Sequence, residues 1–186
     1  MNIQQINSKR FEVSCTSSLS SKRDRFRRGF RAKLVKLLPH MESYLWREKL
    51  IGKKLSKNQV DKISMGVHFC GNRKIRSLNR EFRGKETPTD VLSFPLYDLR
   101  KEKNFVGGVL DGELNIGDIF ICLDVANRQA KGFDVTLSDE LIHLFVHGFL
   151  HLLGFDHEIS AREEKLMESL EEMLIGKLAK MGKIGK

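Results

Sequence analysis

The feature that most restricts how this chain can fold is the run His147-Gly148-Phe149-Leu150-His151-Leu152-Leu153-Gly154-Phe155-Asp156-His157. Histidines four apart share one face of a helix, one turn above the other. Gly154 can take the left-handed conformation that ends a helix and turns the chain back. His157 then returns toward the first two. Three imidazoles converging on one point are the usual protein contribution to a catalytic zinc, with a fourth position left for water. The run lies in residues 137–153, which are apolar almost all round: Leu137, Leu141, Ile142, Leu144, Phe145, Val146, Phe149, Leu150, Leu152 and Leu153. That is the pattern of a buried helix. Several bases buried together are costly unless something satisfies them, and a divalent cation does so. The spacing therefore predicts a metal held by His147, His151 and His157.

The same spacing occurs in zinc proteases, where the residue after the first histidine is a glutamate base. Here it is Gly148. Without that carboxylate, peptide hydrolysis lacks an obvious group to take a proton from the attacking water. A conventional protease is disfavoured. His143, one helical turn before His147, is read as a support for a ligand imidazole or as a core residue, because His157 has the better geometry for the third ligand.

The chain has 186 residues, enough for one domain with a real core plus an appendage. The histidines interrupt the only long apolar stretch, so no membrane span is expected. The N-terminus has no signal-like apolar core, which predicts a cytoplasmic protein. Cys15, Cys70 and Cys122 are widely spaced and form no CxxC pair, so no disulfides and no cysteine metal site are expected. The net charge of +9 is uneven: residues 1–60 hold 15 Lys/Arg against 4 Asp/Glu, whereas the remainder holds 18 against 20. The basic character peaks at Arg23, Arg25, Arg27, Arg28 and Arg31. Phe26, Phe30, Leu34 and Leu37 fall at helical spacing between these arginines, so the segment reads as an amphipathic helix with a cationic face. RNA or another polyanion is the partner that charge suggests, beside a solvated surface or a membrane-surface helix.

Along the chain, residues 11–16 alternate like a short strand. The basic helix follows from about residue 22 to 38, where Pro39 is expected to interrupt it. Residues 62–70 read as a strand, and residues 72–82 as a helix with Ile75, Leu78 and Phe82 on one face. Residues 91–94 form a strand stopped by Pro95, and residues 99–112 a polar connection or hairpin tip. Another strand spans 114–123, with a short helix at 124–131. The histidine helix starts near Thr136, with Asp139 completing a capping box. Ser160 and Glu163 repeat that signature before a last helix whose expected buried stripe is Leu166, Leu170, Met173 and Leu174. Strands alternating with helices imply an α/β or α+β layered domain around one small sheet. Residues 1–60 are read as a basic N-terminal region, part of the domain or appended to it, and residues 61–180 as the catalytic core.

Two stretches carry a family resemblance. Residues 147–157 complete the signature H-G-x-L-H-L-x-G-[YF]-D-H. Residues 78–95, LNREFRGKETPTDVLSFP, closely follow L-N-x-x-[YF]-R-x-x-[DE]-x-P-T-[DN]-V-L-S-F-P, and Gly117-Asp118-Ile119-Phe120-Ile121 resembles a G-D-I-x-I strand. The chain thus resembles the YbeY family of bacterial endoribonucleases, also described as ribosomal-RNA maturation factors, over roughly residues 60–175. The N-terminal third departs from it, being more basic and longer.

The resemblance implies a small α+β domain with one mixed sheet packed by helices and one metal, zinc or another divalent ion, on the three histidines. It also implies a functionally required arginine, here Arg83. The implied activity is single-strand-specific endonucleolytic cleavage of RNA in ribosomal RNA processing, at the 3′ end of 16S rRNA, and in ribosome quality control. The implied partners are the rRNA precursor and the small ribosomal subunit with its proteins. Arg83 can supply a planar donor pair to phosphate oxygens, or form a structural salt bridge. Asp156 can orient an imidazole, move a proton or cap the turn after Gly154. Asn79 lies near Arg83 in sequence, with a helix-surface role as its plainer reading. The residues leave two other functions open: an RNA- or ribosome-binding assembly factor with a structural metal, and a metal-dependent hydrolase of another class.

Overall fold

Alternation of apolar and polar residues builds the centre of the fold, a mixed sheet covered on one face by the histidine helix. The computed structural model describes residues 4–19, 26–47, 53–55, 59–101 and 108–182. Its elements are β1 (Gln4–Asn7), β2 (Phe11–Ser17), α1 (Phe26–Arg47), β3 (Lys62–Cys70), α2 (Asn72–Arg83), β4 (Val91–Pro95), β5 (Val109–Leu110), β6 (Glu113–Cys122), α3 (Leu123–Gly132), α4 (Leu137–Leu152) and α5 (Ala161–Gly182). The sheet order is β1-β2-β3-β6-β4, with β5 also pairing with β6. β2, β3 and β6 run parallel; β1, β4 and β5 are antiparallel to their neighbours.

One face of the sheet buries Val13, Ile63, Met65, Val67, Phe69, Leu114, Ile116, Ile119 and Ile121 against α1, α4 and α5. On the other face α2 lays Ile75 and Leu78 over Cys70, Leu92 and Cys122 in a smaller cluster. The architecture is α+β, with one six-stranded mixed sheet. The described part of residues 1–60 shares this core: β2 lies between β1 and β3, and α1 contributes Phe30, Leu34, Leu37, Leu38, Met41 and Leu45. The three cysteines are buried and free. No helix among the described residues is long and apolar enough to cross a membrane.

Three sequence expectations change. Pro39 lies inside α1, which continues to Arg47. A proline in a helix interior costs about 3 kcal/mol, but Leu37 and Leu38 before it and Met41 and Leu45 after it are all fully buried, and that packing carries the helix through. The buried stripe of α5 is rotated from the expected one. Met167 and Leu174 are buried, whereas Leu166 and Met173 are exposed. The inner face therefore presents Glu171, between Met167 and Leu174, to α4. Phe82 is also not covered with Ile75 and Leu78; it is 60 % exposed at the end of α2. The β1 strand, which buries only Ile6, has too little alternation to be read from sequence.

Candidate metal centre

Thr136 caps α4, its hydroxyl accepting the Asp139 N–H at 3.2 Å, and thus fixes where the helical register begins. From there His147 and His151 share the face that looks into an open groove, and Gly154, at φ +91°, turns the chain so that His157 joins them. A Cβ at Gly154 would stand 2.4 Å from Asp98 Oδ1, so this turn needs glycine for space as well as conformation. Asp98 in turn accepts the N–H groups of Arg100 and Lys101 at 3.1 and 3.0 Å. Arg100 lies over the Phe155 ring, 4.4 Å from its centroid, and pairs with Glu163 at the start of α5. The turn that delivers His157 is thus braced from two sides.

The ring centroids of the three histidines lie 4.7, 5.2 and 5.2 Å apart, and one ring nitrogen from each falls within 4.8 Å of the others. The Nε2 atoms of His147 and His151 are 3.1 Å apart. Two imidazoles on a tetrahedral zinc at about 2.0–2.1 Å place their nitrogens roughly 3.3 Å apart, so the donor set fits such an ion. The His151 imidazole is pushed down to about 4, by burial first and then by the charges of His147 and His157. It is neutral at physiological pH and offers a lone pair, the form a metal requires. Among the described residues the cluster comprises these three side chains.

Glu171 completes the arrangement. Its Oε1 stands 2.8 Å from His147 Nδ1 and its Oε2 3.7 Å from His143 Nε2. Burial alone would raise this carboxyl, but the neighbouring imidazoles of His143 and His147 outweigh it and hold Glu171 at about 2. An ionised carboxylate at Nδ1 keeps the proton there and leaves on Nε2 the lone pair that a metal would take. The sequence reading missed Glu171. Its signal was an acidic residue four positions after Met167 and three before Leu174, in the middle of an apolar stripe. His143, whose imidazole is raised by Glu171, supports the same carboxylate. Glu171→Gln is expected to weaken zinc binding by about 10- to 100-fold, measured by competition with a chromogenic chelator; unchanged affinity would leave Glu171 a packing residue.

Gly148 has a packing reason to be glycine. A Cβ there would lie 2.9 Å from two Ile119 carbons and 3.0 Å from Ser93 Oγ, whose hydroxyl donates to the Gly148 carbonyl at 3.2 Å. A side chain at 148 points into the sheet, where α4 meets β4 and β6. Gly148→Ala is expected to destabilise the fold by about 1–3 kcal/mol through overpacking, seen as a lower midpoint in thermal unfolding; an unchanged midpoint would show that Ile119 and Ser93 give way freely.

Arg83 ends α2 and lines the same groove as the histidines. Gly84, at φ +67°, closes the helix with its N–H on the Arg80 carbonyl. One Arg83 nitrogen, Nη2, donates to both Glu158 oxygens, at 2.9 and 3.1 Å. That hydrogen bond holds the Glu158 carboxyl below its usual range. Asn79 is buried rather than on the helix surface, and its amide donates to the Thr87 carbonyl at 2.8 Å, tying down the loop that leads from Arg83 to β4. Asp156 accepts the Glu158 N–H at 2.9 Å, an arrangement that shapes the turn around His157.

The arginines of α1 stand elsewhere. Arg28 and Arg31 are exposed, and the neighbouring Gly29 and Lys33 meet Ser138 and Asp139 at the start of α4. His147 lies eight residues further along that helix, about 12 Å at the helical rise. Arg23 and Arg25 lie outside the described residues, and Arg27 falls in the first turn of α1.

Fold and site together define a class: a mixed α+β domain with three histidines, able to hold a metal, on a buried helix and the turn behind it. Residues 36–179 match the family described as endoribonuclease YbeY. Among similar proteins, endoribonuclease YbeY of Oceanobacillus iheyensis is 44 % identical over 110 residues, 59 % of this chain and 71 % of the relative. Endoribonuclease YbeY of Aquifex aeolicus is 38 % identical over 126 residues, 68 % of this chain and 77 % of the relative. That of Thermodesulfovibrio yellowstonii is 36 % identical over 149 residues, 78 % and 87 % of the two chains. A solution structure from Thermotoga maritima shares the fold with a TM-score of 0.50 at 23 % identity, covering 91 % of each chain. This chain belongs to the endoribonuclease YbeY family.

Proposed function

We propose that the protein is a zinc-dependent endoribonuclease that cleaves single-stranded RNA and matures ribosomal RNA precursors in the cytoplasm, at the 3′ end of 16S rRNA, with the small ribosomal subunit as its partner. Endoribonuclease is the activity for which its relatives are named. The observation that carries the reading is the meeting of three imidazoles and one guanidinium, Arg83, in a single open groove. Three ligands facing a groove suit a catalytic centre better than the closed four-ligand set of a structural zinc.

His147, His151 and His157 hold the metal, which supplies Lewis acidity at a phosphodiester when bound. Glu171 aims His147. Arg83 exchanges Glu158 for the non-bridging oxygens of the scissile phosphate, since a carboxylate and a phosphate offer similar acceptor pairs to a guanidinium. There it neutralises the charge that grows as the phosphorus centre is attacked.

The test is cleavage of one labelled RNA sequence, single-stranded and annealed to its complement, by the purified protein with zinc, with a chelator, and with zinc restored. Cleavage confined to the single strand, lost with the chelator and regained with zinc, is the expected result. Equal cleavage after metal removal, or of the duplex, would overturn the reading. Processing of a 16S precursor fragment extended at its 3′ end tests the ribosomal part separately.

A further inference from the structure

Apolar side chains normally leave the surface when a neighbour can cover them, yet Phe82 stays 60 % exposed at the lip of the metal groove. It is not loose. Its ring packs on Phe94 of β4 at 4.9 Å and 72°, Phe94 packs on Phe120 of β6 at 5.6 Å and 90°, and Phe120 stacks on His68 of β3 at 4.5 Å. Four rings therefore run from the groove across the sheet face opposite α4, Phe82 on α2 and the other three on adjacent paired strands. His68 is locked at the far end by Thr16 at 2.7 Å and Asp118 at 2.8 Å. Phe82 and Phe94 line the groove together with Arg83 and the three histidines, so this row is continuous with the metal centre.

The charge beside it is predominantly positive. Arg73, Lys74, Arg76, Arg80 and Arg83 are all exposed on α2, against Glu81 of that helix. Glu86 pairs with Arg76 and Arg80, and Glu158 with Arg83, through exposed contacts that a phosphate can replace. A rigid exposed ring among arginines is the surface that binds single-stranded nucleic acid: the ring stacks on a base and the cations meet the phosphates. A protein partner would find the apolar ring but has no need of so many cations around it.

We propose that Phe82, backed by Phe94 and Phe120, is a base-stacking platform for the RNA strand entering the metal groove, with the cationic face of α2 along its backbone. The proposal rests on the reading of the groove as an RNA site. It places the substrate grip on α2, and not on the arginines of α1. It also supplies a reason for preferring single strands, because only an unpaired base has a face free to stack.

The test is fluorescence anisotropy with two uncleavable 2′-O-methyl strands of about twelve nucleotides, one carrying adenines and one abasic throughout, titrated with the zinc-loaded wild type, Phe82→Leu and Phe82→Trp. Leucine keeps the apolar bulk and removes the π-face. The expected result is about tenfold weaker binding of the adenine strand by Phe82→Leu, retained or tighter binding by Phe82→Trp, and no difference among the three on the abasic strand. Thermal unfolding of each variant checks that the fold is intact. The proposal is overturned if the wild type does not bind the adenine strand, if Phe82→Leu binds it as the wild type does, if tryptophan is as weak as leucine, or if both strands weaken alike. Parallel cleavage assays on unmodified RNA separate the two readings: selective binding without cleavage by the wild type would reject the nuclease and leave the platform standing.

Discussion

His147→Ala is expected to lose stoichiometric zinc and to lower RNA cleavage by about a thousandfold or more, the scale of removing a metal's charge from a developing phosphorane. The two remaining imidazoles cannot by themselves fill a catalytic zinc site. Glu171 would also lose its 2.8 Å partner and keep only the more distant His143. A partly buried carboxylate with one partner fewer costs about 1 kcal/mol, so the thermal midpoint should fall as well. Metal content measured by plasma mass spectrometry, beside cleavage rates, checks the assignment. A variant that held one zinc per chain would remove His147 from the ligand set.

Arg83→Glu is expected to leave zinc content and fold intact while cleavage falls by about a hundredfold to a thousandfold. Arg83 and Glu158 are both substantially exposed, with side chains 42 % and 59 % accessible, so losing their ion pair has little effect on stability. The effect belongs to the phosphate, which would meet a carboxylate in place of a guanidinium. Arg83→Lys should recover part of the rate, because it restores the charge without the planar donor pair. Unchanged cleavage by Arg83→Glu would return Arg83 to a structural pairing with Glu158. Together the two variants separate metal binding from phosphate binding, because only the first is expected to lose zinc.

Much of this site was legible before any coordinates. The i, i+4 histidines, the Thr136 cap and the Gly154 stop are local: each depends on helical geometry that repeats over a few residues, so spacing alone reports it. The strands of the sheet centre were legible for the same reason, since β3 and β6 alternate over most of their length. Gly148 was legible only as a missing base. Its physical role, flush packing on Ile119 and Ser93, depends on strands distant in the chain.

The other misreadings share that origin. Pro39 stops a helix in isolation but not one whose apolar stripe is buried on both sides of it. Leu166 and Met173 are apolar enough to have formed the α5 stripe. The rotation that exposes them and turns Glu171 inward follows from where α5 lands on α4, not from α5 itself. Phe82 follows the helical spacing of Ile75 and Leu78, yet α2 ends beyond what the smaller cluster can cover.

What the sequence by itself determined is the set of groups: three imidazoles on a helix and its turn, an arginine at a helix end, and the strands that carry them. Tertiary structure alone decided how those groups are aimed. Glu171 reaches His147 across 24 positions of chain, and Glu158 reaches Arg83 across 75. Secondary-structure periodicity links residues only a few positions apart, whereas contacts at those separations exist only after helices and sheet have packed.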